Sequence, residues 1–254
     1  MSPANYASLK NKVAFVTGGA SGIGADIVRA FAEQGTRVGF VDIQDDAGQQ
    51  LALECDPTGT QVKFEHCDIT DTAALEKSVA SLAGALGDFQ VLVNNAANDE
   101  RMDLGQITPE KWDASFDINL RPQFFAAKAV HKGMRDAGGG AIINLSSISW
   151  RSGAADMAPY ATAKSGVIGL TLALARAYGP DNIRVNAIEP GAVMTEKQRK
   201  LWYPDQKKID NLVNRQLIRH DVLGSDIANS VLFLASDAAN RITKQTLTID
   251  AGLL

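Results

Sequence analysis

The chain is poor in the side chains that hold metals or crosslink loops. It has two cysteines, Cys55 and Cys67, in no Cys-x-x-Cys pattern, and three scattered histidines, His66, His131 and His220. That spacing offers neither a disulfide framework nor a metal-ligand set, so the expected chemistry is metal-free. No apolar run reaches the 18 residues that a membrane-spanning helix needs. The opening MSPANYASLKNK lacks the apolar stretch of a secretory signal. A dense basic cluster is also missing, and the formal charge is −4, which argues against nucleic acid or an anionic membrane as partner. These absences together predict a cytoplasmic protein acting on small molecules.

What is present is a regular alternation. Apolar, β-branched runs at 13–19, 37–43, 62–69, 91–96, 141–147, 183–191 and 246–250 read as strands buried on both faces. Amphipathic segments lie between them. Ile27, Val28 and Phe31 share a face in 23–34, and Leu75, Val79, Leu82 and Leu86 do so in 71–86. In 160–178, Val167, Ile168, Leu172 and Ala175 alternate with small residues, which predicts close packing against another helix. Strand–helix alternation without a linker predicts one α/β domain over 1–254, a doubly wound parallel sheet of about seven strands. The segment 194–221 breaks the rhythm. It is dense in charge around Trp202 and Tyr203, and it follows the Pro190–Gly191 turn at a strand's carboxyl end, where a lid over a ligand would sit.

Three clusters carry chemistry. Thr17-Gly18-Gly19-Ala20-Ser21-Gly22-Ile23-Gly24 joins the first strand to the first helix. Glycines there let backbone N–H groups approach a pyrophosphate at the positive end of the helix. Asp42, 18 residues beyond Gly24, ends the second strand, where a carboxylate accepts from both ribose hydroxyls of NAD and repels the 2′-phosphate of NADP. No arginine follows it, so NAD is expected. Asp68 is placed to accept from the adenine amino group, with Ile69 packing on the ring. Tyr160 and Lys164 stand four residues apart on one helical stripe, with Pro159 suited to the first turn. A tyrosine ordinarily ionises near ~10, and an ammonium beside it is expected to favour the phenolate.

Taken together, TGGASGIG, Asn94 to Ala97, Asn119, Ser147, Tyr160-x-x-x-Lys164 and Pro190–Gly191 resemble the short-chain dehydrogenase/reductase superfamily from about Lys12 to Leu254. The resemblance implies a Rossmann-like fold and a catalytic tetrad of Asn119, Ser147, Tyr160 and Lys164. Ser147, thirteen residues before Tyr160, is the matching serine rather than Ser146. In this scheme Tyr160 is the general base, Ser147 donates to the substrate oxygen, and Lys164 steadies the phenolate and binds the nicotinamide ribose. Asn119 would hold a water linking Lys164 to solvent. The implied cofactor set adds Ser21, Ile23, Ile43, Asn95, Ala96, Ala97, Pro190, Gly191, Val193 and Thr195, the last toward the carboxamide. Two positions depart from the family pattern: Ala97 replaces the usual glycine, and Glu189 replaces a neutral residue before the Pro–Gly turn.

For the substrate, Asn98-Asp99-Glu100-Arg101 is a polar loop beside the cofactor motif, from which Asn98, Glu100 and Arg101 are the expected contacts, and Ser149 and Trp150 follow Ser147. Gln198 and Trp202 lie in the expected lid, and Glu189 is a further acceptor. Polar groups around an aromatic wall suit a polyhydroxylated ligand. The stretch from Asn94 to Arg101, the Ser149–Trp150 pair and Trp202–Tyr203 also resemble bacterial aldose 1-dehydrogenases. That likeness implies oxidation of an anomeric hydroxyl to an aldonolactone with NAD, by a homotetramer. The helices near 105–137 and 160–178 and the C-terminal Ile249–Leu254 are the expected contact surfaces. The alternatives are a dehydrogenase of another polyol or of a 2-keto-3-deoxy sugar acid, for which Arg101 or Arg151 would bind the carboxylate. A ketoacyl or steroid reductase and a non-catalytic NAD sensor are the others.

Overall fold

The computed structural model describes residues 4–254. Its centre is a single sheet of seven strands: β1 (Val13–Thr17), β2 (Arg37–Asp42), β3 (Val62–His66), β4 (Val91–Asn94), β5 (Gly140–Leu145), β6 (Ile183–Pro190) and β7 (Thr246–Ile249). All pairings are parallel, in the order β3-β2-β1-β4-β5-β6-β7. Strand side chains alternate between two cores. Ala14 and Val16 face one, Val13 and Phe15 the other.

The first core is covered by α1 (Gly22–Glu33), α2 (Asp45–Cys55) and, far away in sequence, α10 (Gly224–Ala235). The second is covered by α3 (Thr72–Leu86), α5 (Arg121–Asp136) and α7 (Ala158–Tyr178), with α4 (Pro109–Asn119) against α7. Three short helices complete the set: α6 (Ser149–Ser152), α8 (Glu196–Leu201) and α9 (Gln206–Val213). Phe15, Phe31 and Phe40 are fully buried between these layers. Each such side chain contributes about 1.5–3 kcal/mol of burial free energy.

Local signals set the boundaries. Asp71 caps α3 by accepting from the N–H groups of Ala73 and Ala74, and Thr108 caps α4. The region 105–137 is two helices, because Pro122 has no N–H to continue the ladder past Leu120. The buried stripe of α7 differs from the expected one. Val167 and Ala175 are buried, but Leu172 is 39% exposed, while Lys164 and Thr171 point inward. Polar residues fill part of this core-facing stripe, so apolar spacing alone misplaced the face. Gly166 permits the expected close approach: a Cβ there would lie 2.9 Å from Leu120 Cδ2.

Chain order reverses between β1 and β4, since the crossover from β3 passes over β1 and β2. The crevice above such a reversal, at the carboxyl ends of the strands, is where an open α/β sheet binds its ligand.

Candidate active site

A cleft of about 1120 Å³ opens over the carboxyl ends of β1, β2, β4, β5 and β6. At one end lies the glycine turn. The N–H groups of Gly18 and Gly19 bond to Val41 O at 2.8 and 3.1 Å, and Ala20 N–H donates to Asp42 Oδ2 at 3.0 Å. Gly24 must be glycine, because a Cβ there would fall 1.9 Å from Gly18 O. The Ser21 hydroxyl does not cap α1, and accepts instead from Gln44 Nε2 at 3.0 Å. The first-turn N–H groups of α1 therefore stay available to an anion. Gly18, Ser21, Gly22, Ile23 and Gly24 all line the cleft.

Asp42 is buried at the tip of β2, its Oδ1 accepting from the Gln44 N–H and side chain at 3.1 and 3.2 Å. It lines the cleft with Ile43, which is 62% exposed, and with Asp68 and Ile69 from beyond β3. One oxygen of Asp68 is taken by Thr70. Asn95 pins the turn from the β4 side, its Nδ2 donating to Thr17 O at 3.1 Å and Gly18 O at 2.8 Å. Unencumbered N–H donors, a side-chain-free glycine surface and a carboxylate beyond them fit a dinucleotide. Ala96, Ala97, Pro190, Gly191, Val193 and Thr195 continue the wall. Ala97 is exposed, so its methyl group does not crowd the turn.

Ser147, Tyr160 and Lys164 meet on the opposite wall. The Ser146 hydroxyl is spent on Lys164 O at 2.7 Å, while the Ser147 hydroxyl accepts from Ser149 N–H and lies close enough to Tyr160 to favour its ionised form. Lys164 is only 1% exposed; its ammonium donates to Leu145 O at 2.8 Å and sits 5.6 Å from the Tyr160 ring centroid. The electrostatics differ from the expectation of a phenol made acidic by its lysine. Burial pushes the Tyr160 phenol well above the usual range, with Ser147 opposing and Asp99 adding to the rise. Burial also pulls Lys164 down to about 7, against the attraction of Asp99. Desolvation outweighs pairing because Lys164 is buried with Nζ turned to a carbonyl and Tyr160 is half-buried against it.

Several expected site residues are placed elsewhere. Asn119 is fully buried and does not line the cleft; its amide brackets the peptide of Asn98, accepting from N–H at 3.0 Å and donating to O at 3.1 Å. It shapes the loop after β4. Glu189 is fully buried and accepts from Trp150 Nε1 at 2.8 Å and Thr248 Oγ1 at 3.0 Å, with Arg151 at 3.0 Å. Glu189 and Trp150 thus tie α6 to β6 and β7 and do not face the cleft, since an unpaired buried carboxylate there would be costly. Glu100 and Trp202 line a smaller recess beside the main cleft. The Trp202 face is covered by the Arg101 guanidinium at 4.3 Å. The Thr195 oxygen caps α8 by accepting from Gln198 N–H at 3.2 Å, and the residue lines the cleft with its O–H free to donate. Asn98, Arg101, Ser149 and Gln198 do line the cleft, and Ser149 Oγ is buried without a partner.

Lys197 and Met157 carried no expectation, Asp99 was only one member of a polar loop, and Leu253 and Leu254 were expected at a subunit contact, yet all five line the cleft. The last two arrive because Ala251 and Gly252 take positive φ values of 57 and 74° and fold the C-terminus back. Tandem left-handed residues, one of them alanine, leave no readable signal in the sequence. Among the described residues no cluster of potential metal ligands occurs, and no helix is long and apolar enough to cross a membrane.

Residues 18–254 match the family model described as Enoyl-(Acyl carrier protein) reductase. The chain is 43% identical over 252 residues to "Probable galactose dehydrogenase GalD" of Rhizobium meliloti, covering 98% of this chain and 97% of that one. It is equally 43% identical over 252 residues to the D-xylose 1-dehydrogenase of Caulobacter vibrioides, covering 99% of each. Among solved structures, a variant of a Serratia marcescens short-chain dehydrogenase/reductase superimposes with a TM-score of 0.89 at 33% identity, covering 97% of this chain and 99% of that one.

Proposed function

The chain belongs to the short-chain dehydrogenase/reductase family, and is thereby an oxidoreductase acting on CH–OH groups; from that premise we propose that it is an NAD-dependent sugar 1-dehydrogenase, oxidising the anomeric hydroxyl of an aldose to an aldonolactone. The observation that carries this reading is the meeting of Ser147, Tyr160 and Lys164 on one wall of a cleft whose far end is the glycine turn and Asp42. Identity to galactose and xylose dehydrogenases over nearly the whole chain supports a sugar.

The cleft's polar inventory supports it as well. Ser149 Oγ has no partner, and Asn98 and Gln198 face the same space, so hydroxyl groups find both donors and acceptors. Both arginines that would select a sugar acid are already paired, Arg101 with Asp156 at 3.2 Å and Arg151 with Glu189 at 3.0 Å. A neutral aldose is therefore favoured over an acid. Lys197, Gln198 and Lys200 on the lid side disfavour an acyl chain or steroid.

Bound NAD supplies the hydride acceptor. The chain's part is to hold the substrate oxygen between the hydroxyls of Ser147 and Tyr160, with Tyr160 taking its proton. Ser147 donates to the oxygen as charge develops, and the buried Lys164 supplies the cation that offsets it. The segment 194–221, carrying α8 and α9, is assigned as the lid.

Asp42 is assigned the choice of NAD over NADP, which its buried carboxylate in the cleft beyond the glycine turn supports, since it would repel a 2′-phosphate. Asp42→Ala should raise kcat/KM for NADP by about tenfold or more, the effect of relieving one close like-charge contact. Unchanged NADP kinetics would remove Asp42 from that role. The function itself is tested by NADH absorbance with a panel of aldoses, polyols and sugar acids. Turnover confined to acids or to hydrophobic ketones with NADPH would overturn the sugar assignment.

The assembly is assigned as a cytoplasmic homotetramer. Trp112 on α4, Phe124 on α5 and Leu172 on α7 are exposed at 37, 42 and 39%, on the helices expected to form contacts, which supports this assignment.

A further inference from the structure

The loop after β4 is fastened from three sides. Asn119 holds its start at Asn98, and Met102 N–H donates to Asp156 O at 2.8 Å in the turn that precedes α7. The third attachment is to the lid. Asp99 Oδ1 accepts from Lys197 Nζ and Oδ2 from Gln198 Nε2, both at 2.6 Å, and both donors lie in the first turn of α8. The side chain of Asp99 is 18% exposed and that of Lys197 51%, so the carboxylate is largely withdrawn from water while the ammonium still reaches it. At this same end α8 is rooted beside the glycine turn, because the Cγ2 of its N-cap Thr195 lies 3.4 Å from where a Cβ on Gly22 would be. The start of α8 therefore lies between the glycine turn and Asp99.

We propose that Asp99 is a positioning residue, whose carboxylate latches α8 over the cleft and, together with Lys197, sets the net charge facing Tyr160 and Lys164. The proposal rests on the reading of Tyr160 as the proton acceptor. Asp99, Lys197, Tyr160 and Lys164 line the same cleft. The other charged groups around them are Glu196 and Lys200 on α8, Arg101 on the loop and Arg215 after α9. Asp42 and Asp68 stand at the far end, beyond β1. Asp99 holds its charge: burial opposes ionisation, but Lys197 and Gln198 outweigh it and keep the carboxyl below its ordinary value. Its charge acts on both members of the pair, raising Tyr160 and supporting the cation on Lys164. A closed lid brings the Lys197 ammonium against that charge, whereas an open lid leaves Asp99 bare.

The signs separate this role from a merely structural one. Removing the negative charge in Asp99→Asn favours the phenolate, and removing the positive charge in Lys197→Gln disfavours it. The acid limb of kcat/KM at saturating NAD should therefore move in opposite directions in the two variants. A shift of about one pH unit each way is expected for a unit charge lost from a partly buried site. The double variant should fall between them. The latch is read separately, in the cofactor-free protein, by tryptic cleavage after Arg199 and Lys200. Cleavage should quicken about tenfold in both variants as a charged hydrogen bond to α8 is lost. Shifts of one sign, or none, overturn the charge role, and unchanged cleavage overturns the latch. Should the wild-type limb persist in Tyr160→Phe, the base assignment fails instead, and the cleavage rates alone decide whether Asp99 holds the lid.

Discussion

Tyr160→Phe should lower kcat with an aldose by about 10³-fold or more while leaving NAD affinity within about threefold of wild type. Loss of a positioned general base ordinarily costs 10²–10⁴ in rate. Three decades correspond to about 4 kcal/mol of barrier. The phenol is the group on which the Ser147 hydroxyl and the Lys164 cation converge, so nothing nearby replaces it. Ser147 already accepts from the Ser149 N–H, and Lys164 donates to Leu145 O. NAD affinity should survive because the glycine turn, Asp42 and Asn95 lie across the cleft. Folding should survive as well, since one hydroxyl is removed and the ring remains, a change worth about 1 kcal/mol or less. Titration with NADH by fluorescence, beside steady-state kinetics, checks both halves. A variant retaining a tenth of wild-type turnover would remove Tyr160 from the chemistry.

The way these groups are buried explains what the sequence could and could not disclose. The sheet was legible because β1, β4, β5 and β6 lie between two layers of helices, and such strands are written as continuous apolar runs. The glycine turn was legible because backbone crowding at Gly24 admits no other residue. The Tyr160–Lys164 spacing was legible as helix geometry. Its electrostatics were not, because the sequence names the neighbours of a charge and not the water removed from it. Glu189 misled for a related reason. A carboxylate beside a Pro–Gly turn reads as a ligand, yet its three partners come from Trp150, Arg151 and Thr248, up to 59 positions distant in sequence. The bracket of Asn119 around Asn98 was likewise unreadable, since it depends on where α4 ends. Asp99 was visible but undistinguished among its polar neighbours until α8 was seen to end its first turn against it.

The buried cation supplies the second large effect. Lys164→Met should abolish turnover and yet make the cofactor-free protein more stable, more so at pH 6 than at pH 9. In the unfolded chain the lysine keeps its ordinary value of 10.5, whereas burial in the folded protein lowers it to about 7. Between those values the unfolded state binds a proton that the folded state has released, so stability rises with pH across the window. Below pH 7 the lysine is charged in both states, and the full cost of burying that charge is felt. Methionine fills a similar volume and does not titrate, which removes the cost where it is greatest. The gain at pH 6 should exceed the gain at pH 9 by on the order of 2 kcal/mol. Losing the donor to Leu145 O costs about 1–3 kcal/mol, but equally at both pH values, so it cancels from the comparison. Tyr160 has the opposite sign, its phenol being raised from 10.0, so it withdraws stability only as pH climbs past that value, outside the range compared. Urea denaturation of both proteins at the two pH values measures the difference directly. Equal gains would mean that Lys164 folds with its charge fully compensated. A pH-dependent gain joined to lost turnover would show a cation kept in the core at a cost to stability, as expected where the charge serves the reaction.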